Sequence, residues 1–320
     1  MGAIETTSTG TMSIRVLNDT AIRYFLQVVH AGSISEAASR LHVVPSAVSR
    51  QISRLETELG VILFERTSRG MSLSQAGEIL AAYARRTTLD AEHVSRDIDG
   101  LRQKQEKLIR IACTEGFSSD YLPKAFAAFR EGGEMTTFHL SVTSASSVTR
   151  LVREGAVDIG FSFSLGPVRD IHVAYRQASP LLALVAPSHV LANASSVTLR
   201  TLLAHPLAMP GPTSTIRQLF DIYCSREGLS YKSLLDSDNL EPLVAFAVTG
   251  SAIAFASELF VATRLKTKQL VALSISDIDS GDRCIEVQTL ARRELPAHIL
   301  TFLDIVRASL QALQSDSSIG

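Results

Sequence analysis

No excess of either charge runs through this sequence: 31 Lys and Arg stand against 32 Asp and Glu, a formal net charge of −1 over 320 residues. A globally basic chain that coats nucleic acid or an anionic membrane is excluded, so any nucleic-acid contact has to be a local site. Cysteine is scarce as well. Cys113, Cys224 and Cys284 form an odd, widely spaced set that fits a reducing compartment and not a disulfide framework. Neither they nor the 8 histidines show metal-ligand spacing. No apolar run approaches the roughly 18 residues of a membrane span, and Met1 to Ser13 is small and polar, unlike a secretory leader. There is also no Gly-x-Gly-x-x-Gly turn, phosphate-binding loop or Gly-x-Ser-x-Gly elbow. These absences predict a cytoplasmic protein that is not an enzyme and has no cofactor, no metal and no membrane partner.

What is present is a folded composition, 46% hydrophobic and 20% charged, long enough for two or three domains. Residues 1–14 and 314–320 read as flexible tails. Between them, the first part of the chain is patterned as helix. Ile22, Phe25, Leu26 and Val29 fall at i, i+3, i+4 and i+7, and Gly32 breaks that run. Ser33 followed by Glu36 has the spacing of a capping box for a second helix carrying Ile34, Ala37, Ala38 and Leu41. After a short turn, Pro45 suits the first position of a third helix, whose stripe is Val48, Ile52, Leu55 and Leu59 and whose stop is Gly60. Three short helices with a tight turn before the third make a helix-turn-helix pattern.

Val61 to Phe64 and Met71 to Leu73 read as two short strands around a basic tip, a wing. Ser74 then starts a helix predicted to reach about residue 106. Its positions Ala76, Leu80, Tyr83, Thr87, Ala91, Val94, Ile98 and Leu101 step by four and three with one extra four-step, a coiled-coil seam with a stutter. A lone amphipathic helix of that length needs a partner, either a second copy of itself or the winged domain of its own chain. Leu80, Tyr83, Val94 and Ile98 are the predicted dimerisation residues.

From Leu108 the pattern alternates between strands and helices. Strand-like runs at 109–113, 138–142, 157–163, 180–186, 252–256 and 284–290 predict helices covering a largely parallel sheet. Pro-, Gly- and Ser-rich joints near 164–167 and 274–281 suggest two lobes. The expected division is 15–74 for a winged head, 75–106 for the linker helix and 107–313 for the α/β domain. Within that domain, lobe I is expected at 107–164 and 275–313, and lobe II at 165–274.

The residues Ile22-Arg23-Tyr24-Phe25, Gly32-Ser33-Ile34, Ala37-Ala38, Ala47-Val48-Ser49-Arg50-Gln51-Ile52, Leu55-Glu56, Leu59-Gly60, Leu63-Phe64-Glu65-Arg66 and Ala76-Gly77 stand in the order and spacing of LysR-type transcriptional regulators. The resemblance is dense over about 15–85. It is more diffuse beyond, through Leu122-Pro123, Gly155 to Gly160, Gly250 to Ala254 and Leu295-Pro296. It implies an all-α winged helix-turn-helix head with a long linker helix, joined to a two-lobed α/β domain like the type 2 periplasmic binding proteins. Implied partners are double-stranded DNA, a second copy of the chain (a dimer, or a tetramer as a dimer of dimers), a small-molecule effector, in many members a small acid, and RNA polymerase. Two positions depart from the pattern. Val44 stands where a capping hydroxyl is usual, and Met71-Ser72-Leu73-Ser74 replaces a threonine-bearing wing end.

On this pattern Ser46, Ser49, Arg50 and Ser53 face base edges in the major groove, with Gln51 and Arg54 as further contacts. Arg66 and Arg69 at the wing suit phosphates or the narrow minor groove. An effector cleft would be lined where strands end and helices begin: Thr114, Glu115, Ser118 and Ser119, then Ser144 and Ser146, and from the other lobe Thr213 and Ser214. Each hydroxyl singly reads equally well as a plain helix cap. Glu115 is awkward beside an acidic ligand; it either points away or meets an amino group. Cys113 reads as a buried structural thiol, with oxidant sensing the alternative. The competing functions are a solute-binding transport protein and a ligand-independent regulator acting through oligomerisation alone.

Overall fold

Local signals set the first helices. In the computed structural model, which describes residues 19–67, 70–102, 107–133 and 136–317, α1 (Asp19–Ala31) ends at Gly32, whose φ of +63° favours glycine. Ser33 caps α2 (Ile34–Leu41) by accepting the Glu36 N–H at 3.5 Å. Glu36 pairs its own carboxylate with Arg40 at 3.0 Å, so only half of the predicted capping box forms. At α3 (Pro45–Leu59) the missing hydroxyl at Val44 costs little. Pro45 has no N–H to satisfy, and the Ala47 N–H is taken by the Val44 carbonyl at 3.0 Å. Gly60, at φ +67°, closes the helix.

The wing is the antiparallel pair β1 (Phe64–Thr67) and β2 (Gly70–Leu73), in register from Phe64 opposite Leu73 to Thr67 opposite Gly70. It starts three residues later than Val61. The Glu56 carboxylate accepts the N–H groups of Leu63 (2.8 Å) and Phe64 (3.3 Å), which ties the entry to the wing onto α3. Ser74 accepts the Gly77 N–H at 3.0 Å and starts α4 (Gln75–Arg102), 28 residues and about 42 Å at ~1.5 Å per residue. A Cβ on Gly77 would lie 2.1 Å from the Leu63 carbonyl oxygen, so glycine is required where α4 leaves the wing. Phe25, Ala37, Val48, Leu55, Leu63 and Phe64 form the core of this head together with Leu80, Ala81 and Ala84 from α4.

The chain divides into this unit, which ends at Gln103, and a second that begins at Lys104. The second unit runs β3 (Lys107–Cys113), α5 (Glu115–Ser118), α6 (Tyr121–Glu131), β4 (Thr136–Val142), α7 (Ala145–Arg153), β5 (Ile159–Ser164) and β6 (Ile171–Ala178). It continues with β7 (Leu182–Val185), β8 (Ser196–Val197), α8 (Leu199–Leu202), β9 (Ala208–Pro210), α9 (Thr215–Arg226), β10 (Leu235–Ser237), α10 (Leu240–Val248), β11 (Ala254–Ala256), α11 (Glu258–Lys266) and β12 (Val271–Ile275). The chain then returns through β13 (Cys284–Leu290) and α12 (Ala297–Ser317).

Lobe I is built on the sheet β4-β3-β5-β13-β6, and lobe II on β11-β7-β12-β8 with the parallel pair β9 and β10 beside it. Two expectations are corrected here. The first joint lies between β6 and β7, not near 164–167, because β6 pairs along its length with β13 and so belongs to lobe I. The sheets are also mixed. In lobe I β13 runs antiparallel to both of its neighbours, and in lobe II β7 does the same. The lobe I core gathers Ile109, Phe117, Leu122, Phe129, Phe161 and Phe302; that of lobe II gathers Leu184, Met209, Phe220, Val244 and Phe255. Buried Asp158 and Arg293 pair at 3.0 Å in lobe I, and Asp158 also accepts the Arg110 N–H at 2.8 Å. No helix among the described residues is long and apolar enough to cross a membrane.

Candidate functional site

Two sites emerge, one in each unit. On α3, Val48, Ile52 and Leu55 are buried, which turns Ser46, Ser49, Arg50 and Ser53 outward at i, i+3, i+4 and i+7. All four are exposed and Gln51 is half-buried beside them. Arg54 is already engaged: its Nε lies 2.6 Å from the Glu58 carboxylate one turn on, and that hydrogen bond raises its pKa. Arg50 makes no ion pair or hydrogen bond with any described residue, so its guanidinium is available for a bidentate partner. Arg69 lies outside the described residues, as does the side chain of Arg66, although its backbone is in β1.

The predicted dimerisation residues part company. Leu80 is a core residue of its own head, 7% exposed, and Tyr83 packs against that core. This corrects the seam reading at Leu80, because the first turns of α4 are covered by the winged fold. The apolar side chain left open there is its neighbour Ile79, 70% exposed. Val94 and Ile98 lie on α4, with side chains outside the described residues.

In the second unit a cleft of about 710 Å³ separates the lobes. Thr114, Glu115, Ser118, Ser144, Thr213 and Ser214 all line it, whereas Ser119 and Ser146 are exposed and do not. Ser119 follows the end of α5, and the Ser146 hydroxyl lies 3.2 Å from that of Ser144 on the outer side of the start of α7. Several of the hydroxyls also serve the chain itself. Ser144 accepts the Ser147 N–H and caps α7, Ser214 accepts the Ile216 N–H and caps α9, and Ser118 donates to the Glu115 carbonyl at 2.9 Å. Thr114 differs. Its hydroxyl is buried at the cleft wall with no hydrogen-bond partner among the described residues.

Glu115 neither points away nor waits for an amino group. Its carboxylate reaches from lobe I to lobe II and accepts the N–H groups of Leu240 (2.6 Å) and Glu241 (3.3 Å), the first residues of α10. Asn239, at the capping position, makes no side-chain cap bond, so Glu115 supplies the cap from across the cleft. Nearby, the Thr263 hydroxyl on α11 donates to Asp120 of lobe I at 3.3 Å.

Sequence reasoning missed Arg283. It enters the cleft between the second crossing and β13, is 2% exposed, and lies over the Phe163 ring at 3.7 Å. No motif surrounds it. Cys113 lies in the lobe I core, where burial pushes its thiol up to about 12, as expected of a structural thiol. Among the described residues no group of His, Cys, Asp and Glu is placed to hold a metal ion.

Residues 20–78 match the family model described as bacterial regulatory helix-turn-helix protein, lysR family, and residues 102–311 match the LysR substrate binding domain. An uncharacterized HTH-type transcriptional regulator of Mycobacterium tuberculosis is 30% identical over 212 residues, which cover 64% of this chain and 68% of that protein. The RuBisCO operon transcriptional regulator of Allochromatium vinosum is 24% identical over 279 residues, 86% of this chain and 91% of that one. Among solved structures, full-length OxyR from Pseudomonas aeruginosa superposes with a TM-score of 0.62 at 18% identity, covering 91% of this chain and 95% of its own, a likeness of fold.

Proposed function

The chain belongs to the LysR family of DNA-binding transcriptional regulators, and from that premise we propose how its two units share the work. The head reads double-stranded DNA in the major groove through Ser46, Ser49 and Arg50. Gln51, Ser53 and Arg54 flank that contact, and Arg66 and Arg69 of the wing sit on phosphates. Between Arg15 and Ser74 seven arginines stand against five acidic residues, a weak excess for phosphate attraction. Two copies bound to paired half-sites supply what one lacks, so the working form is a dimer or a dimer of dimers. Such a protein works in the cytoplasm, with RNA polymerase as the machinery it influences. Family members are regulators and not, in general, enzymes.

The second unit senses a small polar effector in the interlobe cleft. The observation that carries this reading is the Thr114 hydroxyl, buried at the cleft wall with no hydrogen-bond partner among the described residues. An unsatisfied buried hydroxyl costs about 1–3 kcal/mol, and a bound polar group would relieve it. A ligand touching both lobes favours one lobe arrangement by its differential affinity for the two. The test is a thermal-shift screen of small polar metabolites on the full chain, repeated on Thr114→Trp, which fills the cleft. Hits that vanish in the variant support the reading. A screen without hits would leave the ligand-independent, oligomerisation-based regulator in its place.

A further inference from the structure

Among the described residues of this unit two arginines are buried, and they are treated differently. Arg293 has the carboxylate of Asp158 at 3.0 Å. Arg283 has no carboxylate at all among the described residues. Its Nε donates to the Thr215 hydroxyl at 3.2 Å, its Nη1 donates to the Ser179 carbonyl at 3.4 Å, and its plane rests on the Phe163 ring. Every one of these partners is neutral, and Nη2 is left without a hydrogen bond among them. Burial lowers its pKa to about 9, yet at neutral pH it still carries a full charge. A guanidinium taken out of water without a counter-charge is destabilising unless something anionic completes it. The open volume it reaches is the cleft, which it lines together with Thr114.

Resting on the reading that the cleft binds an effector, we infer that Arg283 is the anion receptor of that site and that the ligand it takes carries one anionic group, of the carboxylate class. Three neutral contacts hold the planar fork, so its free edge is ordered before the ligand arrives. Thr215, which accepts from Nε, opens α9, and the first turn of that helix adds favourable polarity for an anion at the same place. The limit of one charge comes from the rest of the lining. Glu115 and the exposed Asp238 put two carboxylates in the same cleft against the single guanidinium, so a second anionic group on the ligand would meet like charge.

The test is calorimetric titration of the full chain with acetate, pyruvate and benzoate as monocarboxylates, succinate as a dicarboxylate, and acetamide and benzamide as neutral counterparts. Each is repeated on Arg283→Gln and Arg283→Lys, and on Thr114→Trp to block the cleft. The expected result is saturable binding of at least one monocarboxylate, lost in Thr114→Trp and weakened tenfold or more by Arg283→Gln. Arg283→Lys, which keeps the charge, should weaken it less, and if Arg283→Gln fails to fold the Lys variant decides alone. Succinate should bind more weakly than the best monocarboxylate. Amides binding as tightly as their carboxylates, with loss only in Thr114→Trp, would overturn the role of Arg283 and leave the cleft reading standing. Carboxylate binding unchanged in Thr114→Trp, or no binding of any compound, would overturn both.

Discussion

The Glu115 carboxylate accepts the Leu240 N–H at 2.6 Å across 125 residues of sequence and across the gap between two lobes. It is a helix cap supplied by the other half of the domain. Charged hydrogen bonds of this kind contribute about 1.5–3 kcal/mol, so the lobe angle seen here is a bonded state and not merely one position of a loose hinge. Glu115→Ala should lower the stability of this unit by about 1–2 kcal/mol and widen the lobe separation. Fluorescence transfer between labels on α6 and α9 would read the separation, and an unchanged distance would remove the clamp from the mechanism.

Arg50 and Arg54 lie side by side on α3 and should not count equally. Arg50→Ala removes a free guanidinium, a loss of about 1–3 kcal/mol per half-site, without unfolding the head. Arg54→Ala removes one that already leans on Glu58, and should change affinity by less than about threefold, as expected of an exposed ion-pair residue. Fluorescence anisotropy on a fragment recovered from genomic DNA by the full chain compares them. Equal losses would mean that the Arg54–Glu58 pair opens on DNA.

Neighbouring positions on α4 separate folding from assembly. Leu80→Asp puts a carboxylate into the head core and should destabilise it by at least about 3 kcal/mol. Ile79→Asp changes an exposed residue and should leave the melting curve intact while shifting the mass toward monomer. Light scattering beside thermal melts tests both; an unchanged mass for Ile79→Asp would place the interface elsewhere on the helix.

Cys113 should resist alkylation in the native protein at pH 8, since burial raises its pKa from 9.0 to about 12. The sign follows from linkage. The folded state holds this proton more tightly than the unfolded one, so the contribution is complete below pH 9 and is lost as pH rises toward 12. Mass-spectrometric mapping after iodoacetamide checks it, and a labelled Cys113 in folded protein would reopen the oxidant-sensing alternative.

The head is legible in the sequence because its signals are local. Ser33, Pro45, Gly60 and Ser74 each act on groups a few residues away, so their identities state where helices start and stop. Leu80 misleads for the opposite reason: heptad spacing says that a face is apolar, not what covers it. The lobe boundary is hidden because β6 owes its place to β13, over a hundred residues later, and nothing in 171–178 names that partner. Ser144 and Thr114 show why hydroxyls at strand ends are ambiguous, since one caps a helix and the other is left open. Arg283 has no signature of its own. Its burial is imposed by Phe163, Ser179 and Thr215, which come from three separate stretches of chain.

The antiparallel strand β13 lies between β5 and β6 in the finished lobe I sheet. On a ribosome that middle place stays vacant until residue 290 has emerged, while every strand of lobe II has already been made. The lobe begun first is therefore completed last. Its growing sheet waits with two facing edges unpaired, which is the kind of exposed template that invites wrong pairing. Inserting one lobe into the other, which gives the finished domain its double crossing, thus makes the newborn chain depend on the orderly arrival of one seven-residue strand.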